Sequence, residues 1–175
     1  MVNNLFKKIL YFSLAIAIGS SYWISQVALG ASGEGHTTWY DSVDSGEIRY
    51  GGTTKYTTER SHANSLWNAM GLVYIAPDTA FTIQDLTYSD VYSTEDFSGR
   101  YNYYAGSVDT IKFNDRIFQA RSSSYKKKTA AHELGHALGL DDHYSSSYSG
   151  IIMYGYSSGV TSLQSHDKAD YNSKW

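Results

Sequence analysis

The stretch HELGHALGLDDH, which begins at His132, constrains this 175-residue chain more than any other part of its sequence. The segment SYKKKTAAHELGHALG carries apolar residues at helical spacing and ends on Gly139, which predicts a helix that stops there. Within a helix, four residues advance the direction by about 40° and the height by about 6 Å. His132 and His136 therefore project from one face, and the segment predicts half of a metal site.

The spacing within the helix also predicts what each of these residues does. Two convergent imidazoles supply half of the tetrahedral shell that zinc prefers. Glu133 lies about 100° around the helix from His132, so it cannot share the metal comfortably but can reach a water molecule at an open coordination position. A carboxylate there can take a proton from water that attacks a carbonyl carbon. The pattern predicts His132 and His136 as ligands and Glu133 as the catalytic base.

Three consecutive residues are candidates for the third ligand: Asp141, Asp142 and His143. Gly139 lets the chain leave the helix in a conformation that residues with a β-carbon resist, which turns the following residues back beneath the metal. A third ligand is expected three residues after this glycine, where Asp142 stands. Asp141 points nearly half a turn away in an extended chain, so it is expected to orient the site or face solvent. His143 is the alternative to Asp142.

The segment HELGHALGLDDH resembles the extended zinc signature of the metzincins, His-Glu-x-x-His-x-x-Gly-x-x-His/Asp. Its first part, HELGHALGL, is most similar to the matrixins, the family of matrix metalloproteinases and their bacterial relatives. Most matrixins have a histidine as third ligand and a Gly-Leu-Asp-His ending that is one residue shorter. Snapalysin-type bacterial proteases resemble this chain in their Asp-His ending, with aspartate as ligand. The resemblance implies zinc held by His132, His136 and Asp142.

A second resemblance follows the first along the chain. IIMYGYSS places Met153 seventeen residues after His136 and resembles the metzincin Met-turn, whose methionine forms an apolar floor under the zinc histidines. Matrixins commonly have Met-Tyr-Pro-x-Tyr at this point, whereas this chain has Met-Tyr-Gly-Tyr. The terminal LQSHDKADYNSKW resembles the closing helix of matrixins in its Leu-x-x-x-Asp-x-x-x-Tyr rhythm. From about Gly46 to Trp175 the resemblance implies a metzincin-type catalytic domain with an active-site helix, a Met-turn and a C-terminal helix.

The remaining segments predict an α/β (α+β) fold with a twisted mixed sheet. Strands are predicted at GEIRYGG, LVYIA, DLTYSDVYS and GSVDTIKFND, with a further helix in TERSHANSLWNAMG. LVYIA is a continuous apolar run, typical of a strand covered on both faces. GSVDTIKFND has one polar face, which predicts an edge strand. Ser124 is a candidate N-cap of the active-site helix, and Leu134 and the Tyr144–Ser149 loop are expected to border the specificity pocket.

The N-terminal segment has the pattern of an export signal. Lys7 and Lys8 precede the short apolar run ILYFSLAIAI, and ALGAS offers small residues for cleavage. We expect a signal peptide at residues 1–30 and a zinc metallopeptidase catalytic domain at residues 31–175, with an uncleaved anchor helix as the alternative. Without residues 1–30 the chain has 12 basic and 17 acidic side chains, a net charge of −5, which argues against non-specific nucleic-acid binding.

Other metal-binding features of the sequence are weaker. The chain contains no cysteine, so it has neither disulfides nor thiolate ligands. The acids between Asp85 and Asp115 are candidates for a structural calcium ion, although no Asp-x-Asp-x-Asp loop appears among them. His36, His62 and His166 are isolated in the sequence and are expected to be surface or capping residues.

The sequence as a whole predicts a secreted, monomeric zinc endopeptidase. Its substrate is a protein or peptide that lies along the GSVDTIKFND edge as an added strand. Glu133 activates the attacking water, and no membrane association is expected after the signal is cleaved. The alternative is a non-catalytic exported domain stabilised by zinc, which would hold its metal in a closed site with four protein ligands.

Overall fold

The computed structural model describes residues 35–175, so the predicted signal peptide lies outside the described residues. In chain order the elements are β1 (Glu47–Gly52), α1 (Thr57–Asn68), β2 (Tyr74–Pro77), β3 (Leu86–Val91), β4 (Gly99–Asn102), β5 (Asp109–Asn114), α2 (Asp115–Phe118), α3 (Ser123–Ala137), a 3-10 turn (Ser146–Tyr148) and α4 (Ser165–Lys174). Within residues 35–175, no helix combines the length and the apolar character needed to cross a membrane.

The five strands form one mixed sheet in the order β2-β1-β3-β5-β4. β1 runs parallel to both β2 and β3, β3 runs parallel to β5, and β4 alone is antiparallel to its neighbour β5. The predicted α/β class with a mixed sheet is confirmed at this level.

The position of β5 differs from the prediction of an edge strand. β5 pairs with β3 on one side and with β4 on the other, so it is an interior strand. Its apolar face is as expected, since Ile111 and Phe113 are fully buried while Thr110 and Lys112 are only half-buried. The polar residues of β5 therefore indicate that one face of the sheet is exposed to solvent, and they do not indicate that β5 lacks a neighbouring strand.

The prediction for LVYIA is also wrong. Among the described strands β2 pairs only with β1, so it lies at an edge of the sheet, and it is not covered on both faces. Leu72 and Tyr74 are 53% and 57% exposed, whereas Val73 and Ile75 are buried. Val73 and Ile75 pack into the core, so the first four residues of the run alternate between solvent and core despite their apolar composition, and Ala76 after them is also buried.

Helices α1 and α3 pack against each other and bring the predicted active-site helix over the sheet. The indole Nε1 of Trp67 in α1 donates a hydrogen bond of 2.8 Å to the carbonyl oxygen of Ala131 in α3. Three residues on the predicted apolar stripe of α3 are fully buried: Ala131, Leu134 and Leu138. Leu134 therefore faces the core, and the prediction that it borders a specificity pocket is wrong.

The ends of α3 follow from local chemistry. The helix begins after Ser122, whose side chain accepts a hydrogen bond from the amide of Tyr125, so the N-cap is Ser122 and not Ser124. At the other end Gly139 has a φ of +77°, as the C-terminal turn requires. A β-carbon at residue 139 would also approach Lys174 and Asp41. The glycine therefore sets the direction in which the chain leaves α3.

Candidate metal centre

The imidazoles of His132 and His136 face each other on α3. Their Nε2 atoms are 3.1 Å apart, and their ring planes are nearly perpendicular at 84°. The Nδ1 atom of His132 lies 2.9 Å from the carbonyl oxygen of Ile152, and that of His136 lies 2.9 Å from the carbonyl oxygen of Leu140. A carbonyl oxygen only accepts hydrogen bonds, so these two contacts favour the tautomer with the proton on Nδ1, although Nζ of Lys128 also lies 3.3 Å from Nδ1 of His132. Each Nε2 lone pair is then free to bind a metal.

The third group comes from the loop after Gly139. The Oδ1 atom of Asp142 is 3.1 Å from Nε2 of His132 and 3.8 Å from Nε2 of His136. Ligand atoms that surround zinc tetrahedrally at about 2.0–2.2 Å lie about 3.3–3.6 Å from one another. The three separations, 3.1, 3.1 and 3.8 Å, bracket that spacing. The residues therefore fit a tetrahedral metal ion without rearrangement of the backbone.

The chemistry of the three facing atoms is as informative as their spacing. Asp142 Oδ1 is buried and faces the Nε2 atoms of both histidines, and it forms no complete hydrogen bond within the described residues. Its other oxygen, Oδ2, accepts a hydrogen bond of 2.9 Å from the hydroxyl of Tyr144. Three potential ligand atoms thus lie within 4.8 Å of one another. A bound cation would compensate the burial of these polar groups.

Charge around Asp142 favours its ionised form. Burial opposes ionisation of the Asp142 carboxyl group, but hydrogen bonding and attraction from His132 and His136, together with the Tyr144 hydroxyl, outweigh it and lower its pKa to about 2. The same hydrogen bond raises the pKa of the Tyr144 hydroxyl to about 12. Asp142 is therefore available as an anionic ligand throughout the neutral range.

Glu133 is buried beside these ligands and is held by β4. Its Oε2 atom accepts a hydrogen bond of 2.8 Å from the backbone amide of Tyr101. A β-carbon at Gly99 would lie 2.8 Å from Cγ and 3.1 Å from Oε1 of Glu133, so only glycine lets the carboxylate lie against this strand. Sequence reasoning missed this contact, because nothing in GRYN indicates a strand beside the helix.

Met153 lies beneath the histidine-bearing turn of α3. Its side chain is fully buried, and a β-carbon at Gly135 would collide with its sulfur atom. The carboxylate of Asp167 in α4 accepts hydrogen bonds of 3.1 and 3.0 Å from the amides of Ile152 and Met153. The same segment supplies the Ile152 carbonyl that orients His132, so α4 indirectly positions a candidate ligand.

Two cavities flank the candidate site along β4. A polar cleft of about 240 Å³ is lined by His132, Glu133, Gly99 and Tyr156, among other residues. An apolar cavity of about 460 Å³ on the other side is lined by Thr38, Tyr40, Tyr101, Tyr103, His136 and Leu140. The predicted Tyr144–Ser149 loop contributes no residue to the lining of either cavity. Residues after Met153, from Gly155 to Ser157, line one side of the polar cleft instead.

Lys128 is a buried cation at the base of the polar cleft that sequence reasoning missed. Its Nζ atom donates hydrogen bonds to the carbonyl oxygens of Tyr154, at 2.5 Å, and Tyr156, at 3.3 Å. Burial lowers the pKa of the Lys128 ammonium group to about 8, although Glu133 and nearby acids oppose the shift. Lys128 lies one helical turn before His132, and its charge adjoins the candidate catalytic residues.

His143, the alternative third ligand, points away from the other two histidines. Its Nε2 atom lies 2.7 Å from Oδ2 of Asp170 in α4, and its side chain is fully buried. His166 lies close to the same carboxylate, so the expectation that it is a surface or capping residue is wrong. The His36 ring packs against that of His143 in a tilted arrangement, with centroids 4.2 Å apart and an interplanar angle of 41°. Nε2 of His62 lies 2.9 Å from the carbonyl oxygen of Thr161.

The acids proposed as calcium ligands contact protein groups. Asp85 accepts a hydrogen bond of 2.7 Å from the amide of Arg49, and Asp115 forms an ion pair of 2.7 Å with Lys55. Among residues 35–175, groups of three or more potential ligand side chains occur at His132, His136 and Asp142 and at His143, His166 and Asp170. Neither group includes an acid between Asp85 and Asp115.

Comparison with known proteins gives no family assignment. No family model matches the chain, and no curated protein matches it. Among solved structures, one similar chain belongs to a structure described as the GM1 bound form of the ECX AB5 holotoxin, with a TM-score of 0.48, 13% sequence identity, and coverage of 82% of this chain and 77% of that chain. Similarity at this level supports no conclusion about function.

Proposed function

We propose that this chain is a secreted, monomeric zinc endopeptidase of the metzincin class, similar to the matrixins. The observation that carries the proposal is the convergence of three potential ligand atoms, from His132, His136 and Asp142, at separations of 3.1, 3.1 and 3.8 Å. Glu133 lies in the same cleft. Export through residues 1–30 belongs to the proposal and rests on the sequence alone.

The residues divide the chemistry among them. A bound zinc ion would polarise the scissile carbonyl group and make a coordinated water acidic enough to react near neutral pH. His132, His136 and Asp142 would hold that ion, with their orientation fixed by the two backbone carbonyls and the Tyr144 hydroxyl. Three protein ligands leave a coordination position open, which is the arrangement of catalytic zinc sites.

Glu133 is suited to move the proton. Its Oε2 atom is occupied by the amide of Tyr101, which fixes the plane of the carboxylate and leaves Oε1 to accept a proton from the attacking water. The same atom can then deliver the proton to the leaving amine. Glu133, His132 and His136 all lie on α3, so one helix sets the position of the base relative to the two histidine ligands.

The edge of β4 is the surface along which we propose that an extended substrate binds. Among the described strands, β4 pairs only with β5, so its outer edge can accept an added strand through backbone groups other than the Tyr101 amide, which already donates to Glu133. The polar cleft touches Gly99, and the apolar cavity touches Tyr101 and Tyr103. A peptide that follows β4 would therefore place side chains in both cavities and its backbone beside Glu133. This replaces the β5 edge expected from the sequence.

The competing function is a non-catalytic exported domain stabilised by zinc. A structural zinc site has four protein ligands, and the natural fourth candidate, His143, instead contacts Asp170 at 2.7 Å. The burial of Glu133 beside the ligands also favours an enzyme, because a purely structural site needs no carboxylate there.

Substitution of Glu133 tests the catalytic part of the proposal. We expect Glu133→Gln to retain zinc and to lose casein cleavage by at least about 100-fold, the lower end of general-base contributions. Glu59→Gln, in the first turn of α1, is the matched control and should cleave casein normally. A chelator should abolish cleavage by the wild type and by Glu59→Gln. Full activity of a folded Glu133→Gln protein would reject Glu133 as the base.

Metal content tests the ligand assignment separately. We expect Asp142→Ala to weaken zinc binding strongly. Asp141→Asn should bind zinc normally, because asparagine keeps the side-chain oxygen that accepts a hydrogen bond from the backbone amide of Asp142. Zinc is measured by mass spectrometry after gel filtration. Unchanged zinc in Asp142→Ala would reject Asp142 as the third ligand, and zinc binding without any peptidase activity would favour the non-catalytic alternative.

A further inference from the structure

A second cluster of ligand-type side chains lies between the loop after α3 and the last helix. It consists of His143, His166 and Asp170, whose potential ligand atoms all lie within 4.8 Å of one another. The Oδ2 atom of Asp170 is 2.7 Å from Nε2 of His143 and 3.6 Å from Nε2 of His166. The two imidazoles thus approach one carboxylate oxygen from two sides.

The cluster is buried more deeply than the candidate catalytic site. The side chains of His143 and Asp170 are 0% and 1% exposed, and that of His166 is 12% exposed. The His143 ring lies between other rings, with centroid distances of 4.5 Å to Tyr148 and 4.6 Å to His166.

Hydrogen bonding within the cluster is incomplete. Three buried polar atoms have no hydrogen-bond partner among the described residues: Nδ1 of His143, Nε2 of His166 and Oδ1 of Asp170. Buried polar atoms are normally paired, because an unpaired group loses its hydration without compensation. Nε2 of His166 and Oδ1 of Asp170 belong to facing groups that could share a cation, whereas Nδ1 of His143 points away from the nitrogen that contacts Asp170.

We propose that His143, His166 and Asp170 bind a second divalent transition-metal ion, distinct from the one proposed for His132, His136 and Asp142. Imidazole nitrogens with one carboxylate oxygen suit zinc and its first-row neighbours, and the cluster has no cysteine that would select softer ions. The 2.7 Å contact between His143 and Asp170 is a hydrogen-bond length. Metal binding therefore requires these two groups to separate by about 0.6 Å to reach a tetrahedral spacing.

The second ion would have a structural role. The backbone of His143 is bonded on both sides to the segment around Met153: its amide donates to the Met153 carbonyl and its carbonyl accepts from Gly155, each at 2.9 Å. The preceding residue is Asp142, the proposed third ligand of the first site. An ion bound by His143 and two residues of α4 would therefore anchor the loop that carries Asp142 to the C-terminal helix.

Zinc stoichiometry in variants of each site tests this proposal. The full chain is loaded with zinc, freed of excess metal by gel filtration and measured by mass spectrometry. We expect two zinc ions per chain in the wild type and one in either His166→Ala or His166→Gln. The glutamine variant keeps side-chain volume and hydrogen-bonding capacity in case the alanine variant unfolds. His62 lies outside both clusters, so His62→Ala is the matched control and should bind two zinc ions per chain.

The outcomes separate this proposal from the proposed function. If the first site alone is wrong, His136→Ala will bind as much zinc as the wild type while the His166 variants bind one ion fewer, and the second site stands. If His166→Ala and His166→Gln fold and bind the same amount of zinc as the wild type, the second site is rejected. In that case His143 and Asp170 form a hydrogen-bonded pair without metal.

Discussion

The backbone amide of Tyr101 donates a hydrogen bond of 2.8 Å to Oε2 of Glu133, which joins the edge strand β4 directly to the candidate catalytic base. The contact links the surface that we propose for substrate to the group that we propose to move the proton. It depends on Gly99, two residues earlier, because a larger residue there would contact Cγ and Oε1 of Glu133. The position of the carboxylate is therefore set by the strand as much as by the helix.

Gly99→Ala should separate catalysis from metal binding. The added methyl group would approach Thr129 and Glu133 at 2.7–2.8 Å, so the carboxylate or the strand must move. A displacement of about 1 Å in a catalytic group can cost about 100-fold in rate. We expect kcat/KM for a peptide substrate to fall by about that factor while zinc content stays unchanged.

Gly150→Ala is the control for this experiment, because a β-carbon at residue 150 meets nothing within 4 Å and the backbone there is unstrained. It should retain wild-type kinetics. Wild-type kcat/KM in Gly99→Ala would show that the approach of β4 to Glu133 is not needed for activity.

Tyr144→Phe should weaken metal binding without removing a ligand. The Tyr144 hydroxyl donates to Oδ2 of Asp142 at 2.9 Å and fixes the orientation of the carboxylate whose Oδ1 faces the histidines. Loss of a group that orients a metal ligand typically costs 10–100-fold in affinity. We expect the zinc dissociation constant to rise by about that factor in competition with a chromophoric chelator. Tyr92→Phe, at an exposed position, is the control and should leave the zinc dissociation constant unchanged. Equal zinc affinities of Tyr144→Phe and Tyr92→Phe would contradict the proposed role of the Tyr144 hydroxyl.

The parts of the site that could be predicted from the sequence are those set by local geometry. His132, Glu133 and His136 occupy one and a half turns of a single helix, and the φ of +77° at Gly139 turns the chain within three residues of Asp142. Every residue in this group lies within eleven positions of the others. Helix periodicity and one glycine turn therefore suffice to bring the three candidate ligands together.

The parts that sequence reasoning missed are non-local. β4 has four residues and no alternation of apolar and polar side chains, so its pairing with β5 has no sequence signature. Lys128 looks like an ordinary solvent-exposed lysine in a run of three until α3 is placed against the Met153 segment. His143 and Asp170 are twenty-seven residues apart. Contacts of this kind require the packing of α4 against the loop, which periodicity does not encode.

Acid should weaken the metal-free protein through Asp142. The pKa of the Asp142 carboxyl group in the folded protein is about 2, below its ordinary value of 3.8. A carboxyl group with a lowered folded-state pKa stabilises the fold above its unfolded pKa and loses that contribution as the pH falls through the folded pKa. We expect the stability advantage of the wild type over Asp142→Asn to shrink by about 1–2 kcal/mol between pH 5 and pH 2, since solvent screens part of the interaction at this partly exposed carboxyl group.

The measurement for this prediction is urea unfolding of both metal-free proteins across that pH range. Chelator must be present throughout, because bound zinc would add its own pH dependence. A difference in unfolding free energy between wild type and Asp142→Asn that does not change with pH would contradict the lowered pKa.

Asp167→Asn should destabilise the fold and, through it, the first metal site. The carboxylate is fully buried, and it accepts hydrogen bonds from the amides of Ile152, Met153 and Gln164 at 2.9–3.1 Å. Asparagine keeps one acceptor oxygen but turns an NH₂ group toward amides that need an acceptor, so at least one buried N–H loses its partner. At about 1–3 kcal/mol per unsatisfied buried group, the free energy of unfolding should fall by about 2–4 kcal/mol in urea titrations.

Asp44→Asn is the control. The Asp44 side chain accepts a hydrogen bond from the exposed Ser45 hydroxyl, and its substitution should change the free energy of unfolding by less than about 0.5 kcal/mol. Because the Ile152 carbonyl also orients His132, zinc affinity should fall in Asp167→Asn as well; a destabilised variant with unchanged zinc affinity would mean that α4 supports the fold but does not position the ligand.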